Sequence, residues 1–301
     1  MKARKIVVLI LKFIGLTILY FISFAIGSAV VFPHGAPPAS ADEVSITLGL
    51  LLSICVLNTA VLTYVILRSR WAGWRLIATV FFVLFGVTTF MSQIESAVFI
   101  TRLPSGMLPR LFLMGALVAA PFSLLAVPIL GKRKGDPANT GVNSRLLMPK
   151  SEWAWKLAVI AICYLILYFS FGYFIAWRNP AVREYYGGSE TGSFVGQMRM
   201  MMRETPWLPF FQILRALLWT ALALPVIRMM KGQWWEAGLA VGLLFAVVMN
   251  SQLLLPNPFM PETVRLSHLV ETASSNFLFG WLIVWLLLRQ HKPAPGNGSD
   301  S

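Results

Sequence analysis

Eight apolar runs, each about as long as a bilayer is thick, leave this chain few ways to fold. They occupy residues 6–32, 44–67, 76–100, 108–130, 153–177, 208–227, 235–254 and 263–288. A hydrocarbon core about 30 Å thick takes roughly 20 apolar residues to cross as a helix. Within it every backbone amide must find its partner inside its own segment. The expected fold class is therefore an all-α integral membrane protein with eight transmembrane helices. Composition points the same way, with 57% hydrophobic and only 12% charged residues, about half the charged share of a soluble domain.

Lys and Arg set the expected orientation. They cluster at 2–5, 68–75, 132–150, 228–231 and 289–292, which are both ends of the membrane region and every second connection. The positive-inside rule puts all five on the cytoplasmic side, so both termini are expected there. The net charge of +13 follows from that clustering and from anionic lipid headgroups as partners, and it does not point to nucleic acid. Short connections fit a bacterial cytoplasmic membrane. Lys2 to Lys5 resembles the basic start of a signal peptide and Ala39-Ser40-Ala41 a cleavage site. The first apolar run, however, exceeds the usual 7–15 residues of a signal core and reads as a retained span.

Cys55 and Cys163 both fall within spans, which argues against a disulfide framework or a cysteine-based zinc site. No phosphate-binding glycine loop, HExxH or GxSxG pattern occurs.

Short matches in common order suggest a parallel duplication of four helices. At an offset of 161, Thr59-Ala60 and Val65-Ile66 match Thr220-Ala221 and Val226-Ile227. At an offset of 152, Leu103-Pro104 and Pro109 match Leu255-Pro256 and Pro261. The expected units are 1–130 and 152–292, joined by a flexible basic linker at 131–151 and followed by a disordered tail at 293–301. The shift in offset implies extra length at the end of the third span, near Gln93 and Glu95. The second unit carries His268 and Glu271 where the first has Ala116 and Ala119. It also has a longer outer loop at 178–207, with Phe194, Met198, Met201 and Met202 at near-helical spacing. That loop reads as an interfacial helix or as a lid.

Ionisable groups within spans are functional or tightly paired. At 1.5 Å per residue His268 lies roughly 7 Å and Glu271 roughly 12 Å below the outer boundary. Gln212 and Arg215 lie at similar depths, and Glu95, Asn250, Gln252 and Arg265 share that membrane half.

Three chemistries fit. The first is structural ion pairing of Arg215 or Arg265 with Glu95 or Glu271. The second is a divalent metal such as zinc held by His268, Glu271 and Glu95. The third is proton-coupled binding, with Glu95 or Glu271 exchanging a proton while Arg215 holds an anionic group. Ser267, Thr272, Ser274 and Ser275 read as helix-packing residues and not as nucleophiles.

The first functional reading is a transporter of a small molecule or lipid component, with Gln212, Arg215, Asn250, Gln252 and Arg265 as substrate-binding residues. A membrane-embedded enzyme is the alternative, using Glu95, His268 and Glu271 on a lipid-linked or outer-face substrate. A non-catalytic subunit paired with another protein is the third.

Overall fold

The computed structural model describes residues 2–31, 40–100, 104–135, 145–188, 192–256 and 260–289. Ala39, the middle of the linker and the tail at 293–301 lie outside the described residues. Among the described residues, eight helices are long and apolar enough to cross a membrane. They are α1 (Lys2–Val31), α2 (Ala41–Leu67), α3 (Gly73–Phe99), α4 (Met107–Ile129), α5 (Lys150–Ala176), α8 (Leu208–Met229), α9 (Trp234–Leu254) and α10 (Glu262–Leu288). Two short helices, α6 (Pro180–Tyr185) and α7 (Phe194–Glu204), lie between α5 and α8. The chain is a multi-pass, all-α membrane protein, and its lipid-facing surface is apolar: Ile6, Leu11, Ile46, Ile162 and Phe210 are all exposed.

Packing divides the long helices into two sets. Helix α1 packs on α2 and α4, and α3 on α4 and α2. Likewise α5 packs on α8 and α10, and α9 on α10 and α8. The two sets meet reciprocally, α2 against α9 and α3 against α8. Gly242 and Gly280 bring α9 and α10 close together, since a Cβ on Gly280 would lie 3.0 Å from the Gly242 backbone.

One end of the bundle is basic. There the α2–α3 and α8–α9 connections pair as an isolated antiparallel bridge, Ser69 with Met230. The Arg70 amide donates to the Met229 carbonyl at 2.7 Å and the Lys231 amide to the Arg68 carbonyl at 2.8 Å. The described parts of the linker are anchored to this bridge. Lys132 Nζ donates to the Ser69 carbonyl at 2.6 Å, and Arg145 donates to the carbonyls of Ile227, Met230 and Gly232. The flexible spacer expected at 131–151 is thus tied at both described ends, because its cations meet carbonyls that the helix termini leave open. Burial lowers the Arg145 guanidinium from its ordinary range, and the nearby Arg70 adds to this. Glu236 pairs with Arg68 across the two sets and with Gln233 closes a capping box on α9.

At the far end, α2 starts with a second capping box: the Glu43 amide donates to Ser40 Oγ at 3.2 Å and the Ser40 amide to Glu43 Oε2 at 2.8 Å. Three spans widen into a π turn on the way to this end, at Gly86–Phe90 in α3, Gly172–Ala176 in α5 and Leu244–Val248 in α9. After its π turn α3 runs on for nine helical residues, Met91–Phe99, whereas α9 ends in the 3-10 turn Ser251–Leu254. Glu95 therefore stands on regular helix.

Candidate functional site

Glu95 rides on that helical extension, about 6 Å from the end of α3. Its Oε2 lies 2.8 Å from Arg215 Nη2 on α8. Arg215 Nη1 also donates to Gln212 Oε1, one turn earlier, at 3.0 Å. Gln212 is fully buried and Arg215 is 3% exposed, while the Glu95 side chain keeps 30% of its surface open. A guanidinium at this depth is tolerable because it is paired and hydrogen-bonded. Two of its local donors, Arg215 Nε and Gln212 Nε2, have no partner among the described residues. The Tyr164 ring on α5 stands 6.0 Å from the guanidinium.

The second pair lies on α10. His268 Nδ1 is 2.8 Å from Glu271 Oε2, on one helix face, and His268 Nε2 is 3.1 Å from the Tyr186 hydroxyl. With Glu271 ionised, the Nδ1 hydrogen goes to the carboxylate and Nε2 is left to accept from the phenol. Gly172, opening the π turn of α5, leaves room for the other oxygen: a Cβ there would sit 3.4 Å from Glu271 Oε1. The two pairs share one electrostatic neighbourhood, since Glu95 acts on His268, and both carboxylates act on Tyr164 and Tyr168.

Tyr186 comes from the outer loop, just after α6. Asn179 caps α6 by accepting from the Ala181 amide at 3.0 Å, and its Nδ2 donates to Ser267 Oγ on α10 at 2.6 Å. Val182, Ala176 and Val264 form a small apolar cluster beneath. Tyr186 is 38% exposed, with its hydroxyl turned toward His268. Partial burial pushes the phenol above its ordinary range, and the negative charge of Glu95 adds to it. Helix α7 has no buried residue and leans on α5 through Phe194, whose ring stacks on Phe174. The cover over His268 is therefore Tyr186 and not the methionine-bearing helix.

The remaining expected site residues tie helices together. Asn250 Nδ2 donates to the carbonyls of Phe245 and Ala246, within the π turn of α9, and Asn250 Oδ1 accepts from Thr272 Oγ1 at 2.6 Å. Gln252 Nε2 donates to Ser92 Oγ on α3 at 3.0 Å. Arg265 is 4% exposed and donates to the Leu253 carbonyl at 2.7 Å. Glu95, His268 and Glu271, expected as one metal-ligand set, are divided between two pairs. Glu95 faces Arg215, and both His268 nitrogens already have protein partners. Among the described residues no three His, Cys, Asp or Glu converge as a metal site.

Sequence reasoning did not find Tyr164, Tyr168 and Tyr186. The i,i+4 spacing of the first two was a usable signal. For Tyr186 the run Tyr185-Tyr186-Gly187-Gly188 signals a turn but not its partner.

Comparison with protein-family models, with curated proteins and with solved structures finds no match for this chain.

Proposed function

We propose that the chain is a transporter of a small molecule or lipid component bearing an acidic group, built from two duplicated four-helix units, α1–α4 and α5–α10. The observation that carries this reading is the Glu95–Arg215 ion pair, which joins α3 of one unit to α8 of the other at the far end. The opposite end is held by a backbone bridge and the clasp of Lys132 and Arg145, so the ion pair gates the far end, and the two ends open in turn. Arg215 is buried with a partly exposed carboxylate and with spare donors beside it. An incoming anionic group can take the place of Glu95, which then returns to water or takes up a proton. The charge rule puts the far end outside, with both termini cytoplasmic.

The test uses a background in which Cys55 and Cys163 are replaced, with Thr220→Cys as the sole cysteine. Thr220 is buried one to two turns below Arg215 on α8. A transporter exposes it in turn to both faces, so a membrane-impermeant thiol reagent labels it from either side. No labelling from either side would sink the reading.

One observation favours an enzyme as the second reading. Phenol, imidazole and carboxylate of Tyr186, His268 and Glu271 lie in hydrogen-bonded sequence at the rim of the bundle. Glu271 orients the imidazole, and Nε2, once released by Tyr186, is placed as a general base toward a substrate at the outer face. On that reading Thr220→Cys stays unlabelled while His268→Gln abolishes turnover.

A further inference from the structure

A cavity of about 70 Å³ lies between α1, α2, α3, α4 and the end of α9, and none of Glu95, Arg215, His268 and Glu271 lines it. Its polar wall is formed by Tyr20, Asn58, Thr88, Thr89, Gln93, Ser251 and Gln252, and among the described residues no Asp, Glu, Lys, Arg or His lines it. Following the hydrogens shows what this wall has to offer. Ser251 donates to Asn58 Oδ1 at 3.0 Å, and Asn58 Nδ2 donates to the Tyr20 hydroxyl at 3.1 Å. Thr88 gives its hydrogen to the Leu84 carbonyl at 2.7 Å, so in the 3.3 Å contact between the two threonine hydroxyls Thr89 is the donor. Ser251 and Thr89 have thus used their hydrogens and keep lone pairs. Gln93 Oε1 is buried with no hydrogen-bond partner among the described residues. Lone pairs on the oxygens of Thr89, Gln93 and Ser251 thus remain open, beside the Tyr20 hydroxyl and the Gln93 and Gln252 amide groups as donors.

Two π turns flank the same space. Thr88 and Thr89 sit within the π turn of α3, and Val248, which ends the π turn of α9, also lines the cavity. Such turns shift the i,i+4 register and are frequent at functional sites. From this geometry we infer that the cavity is a binding site for a hard monovalent cation, sodium, coordinated by the oxygens of Thr89, Gln93 and Ser251 and completed by water. All-oxygen ligation suits a hard cation. The lack of any carboxylate matches a single positive charge, because a divalent ion would bring two uncompensated charges into a low-dielectric site. At about 10–15 Å³ per water-sized sphere, the cavity takes the ion with a few waters.

The test is equilibrium binding of radioactive sodium to the purified full chain in nanodiscs. Because it is read without transport, it stands or falls apart from the two-sided labelling of Thr220→Cys. Saturable binding near one ion per chain is expected, unaffected by choline. Thr89→Val, which keeps the shape and removes the oxygen, and Gln93→Leu should each weaken it by about tenfold or more. Thr89→Ser, which restores the oxygen, should retain it, so a lost site is told apart from a misfolded chain. No saturable sodium binding by the wild type, or binding indifferent to both Thr89→Val and Gln93→Leu, would overturn the site and leave water as the occupant.

Discussion

The Glu95–Arg215 pair makes an asymmetric prediction, because its two members are unequally buried. Arg215 is 3% exposed, whereas the Glu95 side chain keeps 30% of its surface open. Glu95→Gln leaves a guanidinium that cannot lose its charge, buried beside the Gln212 amide and the Tyr164 ring without its counter-charge. Stranding one member of a buried pair costs about 3–5 kcal/mol, and this variant should fall in that range. Arg215→Met leaves instead a carboxylate that can hydrate or take up a proton, so its loss should be roughly 1–2 kcal/mol. The double variant strands neither charge, so its loss should be well below the sum of the two single losses. A coupling energy of at least about 1.4 kcal/mol, tenfold in the unfolding constant, is expected. Reversible unfolding of all four proteins in mixed micelles measures it. Additive losses, or a larger loss for Arg215→Met than for Glu95→Gln, would refute the reasoning.

Other predictions follow from single contacts. Tyr186→Phe removes the hydroxyl over His268 Nε2 and should leave stability within about 1.5 kcal/mol, while diethylpyrocarbonate modifies His268 several-fold faster by mass spectrometry. Gly280→Val drives a branched side chain into the Gly242 backbone and should cost about 1–3 kcal/mol, read as an earlier thermal transition. Arg145→Ala frees three carbonyls at the basic end. Hydrogen exchange should then quicken at the Arg70 and Lys231 amides and stay unchanged at the far end.

The architecture was legible because one length scale dominates it. A bilayer forces spans of about 20 residues, and the eight expected runs correspond to the eight helices with ends displaced by a few residues. The offset of 161 read between Thr59 and Thr220 also separates Ser69 from Met230, the two residues that meet at the bridge. The i,i+3 pairs Gln212–Arg215 and His268–Glu271 were readable too, since helical spacing alone makes them neighbours.

Partners between helices were not readable. Which arginine meets Glu95 depends on how α3 and α8 rotate against each other, and nothing in a linear pattern fixes that. Arg265 and Arg215 looked equivalent, yet one bonds a carbonyl and the other a carboxylate. Tyr186 was hidden for a similar reason: it reaches His268 only because α6 docks on α10 through Asn179 and Val182.

The central claim, that the far end is a gate between two units, is tested most directly by locking it. Ser92 on α3 and Gln252 on α9 already touch across the units at 3.0 Å, so Ser92→Cys and Gln252→Cys can be joined by oxidation or a short bifunctional reagent. Engineered in the Thr220→Cys background, the lock should abolish labelling of Thr220→Cys from the far face, leave labelling from the basic face intact, and be reversed by reduction when the link is a disulfide. Equal labelling from the far face with and without the lock would contradict the account.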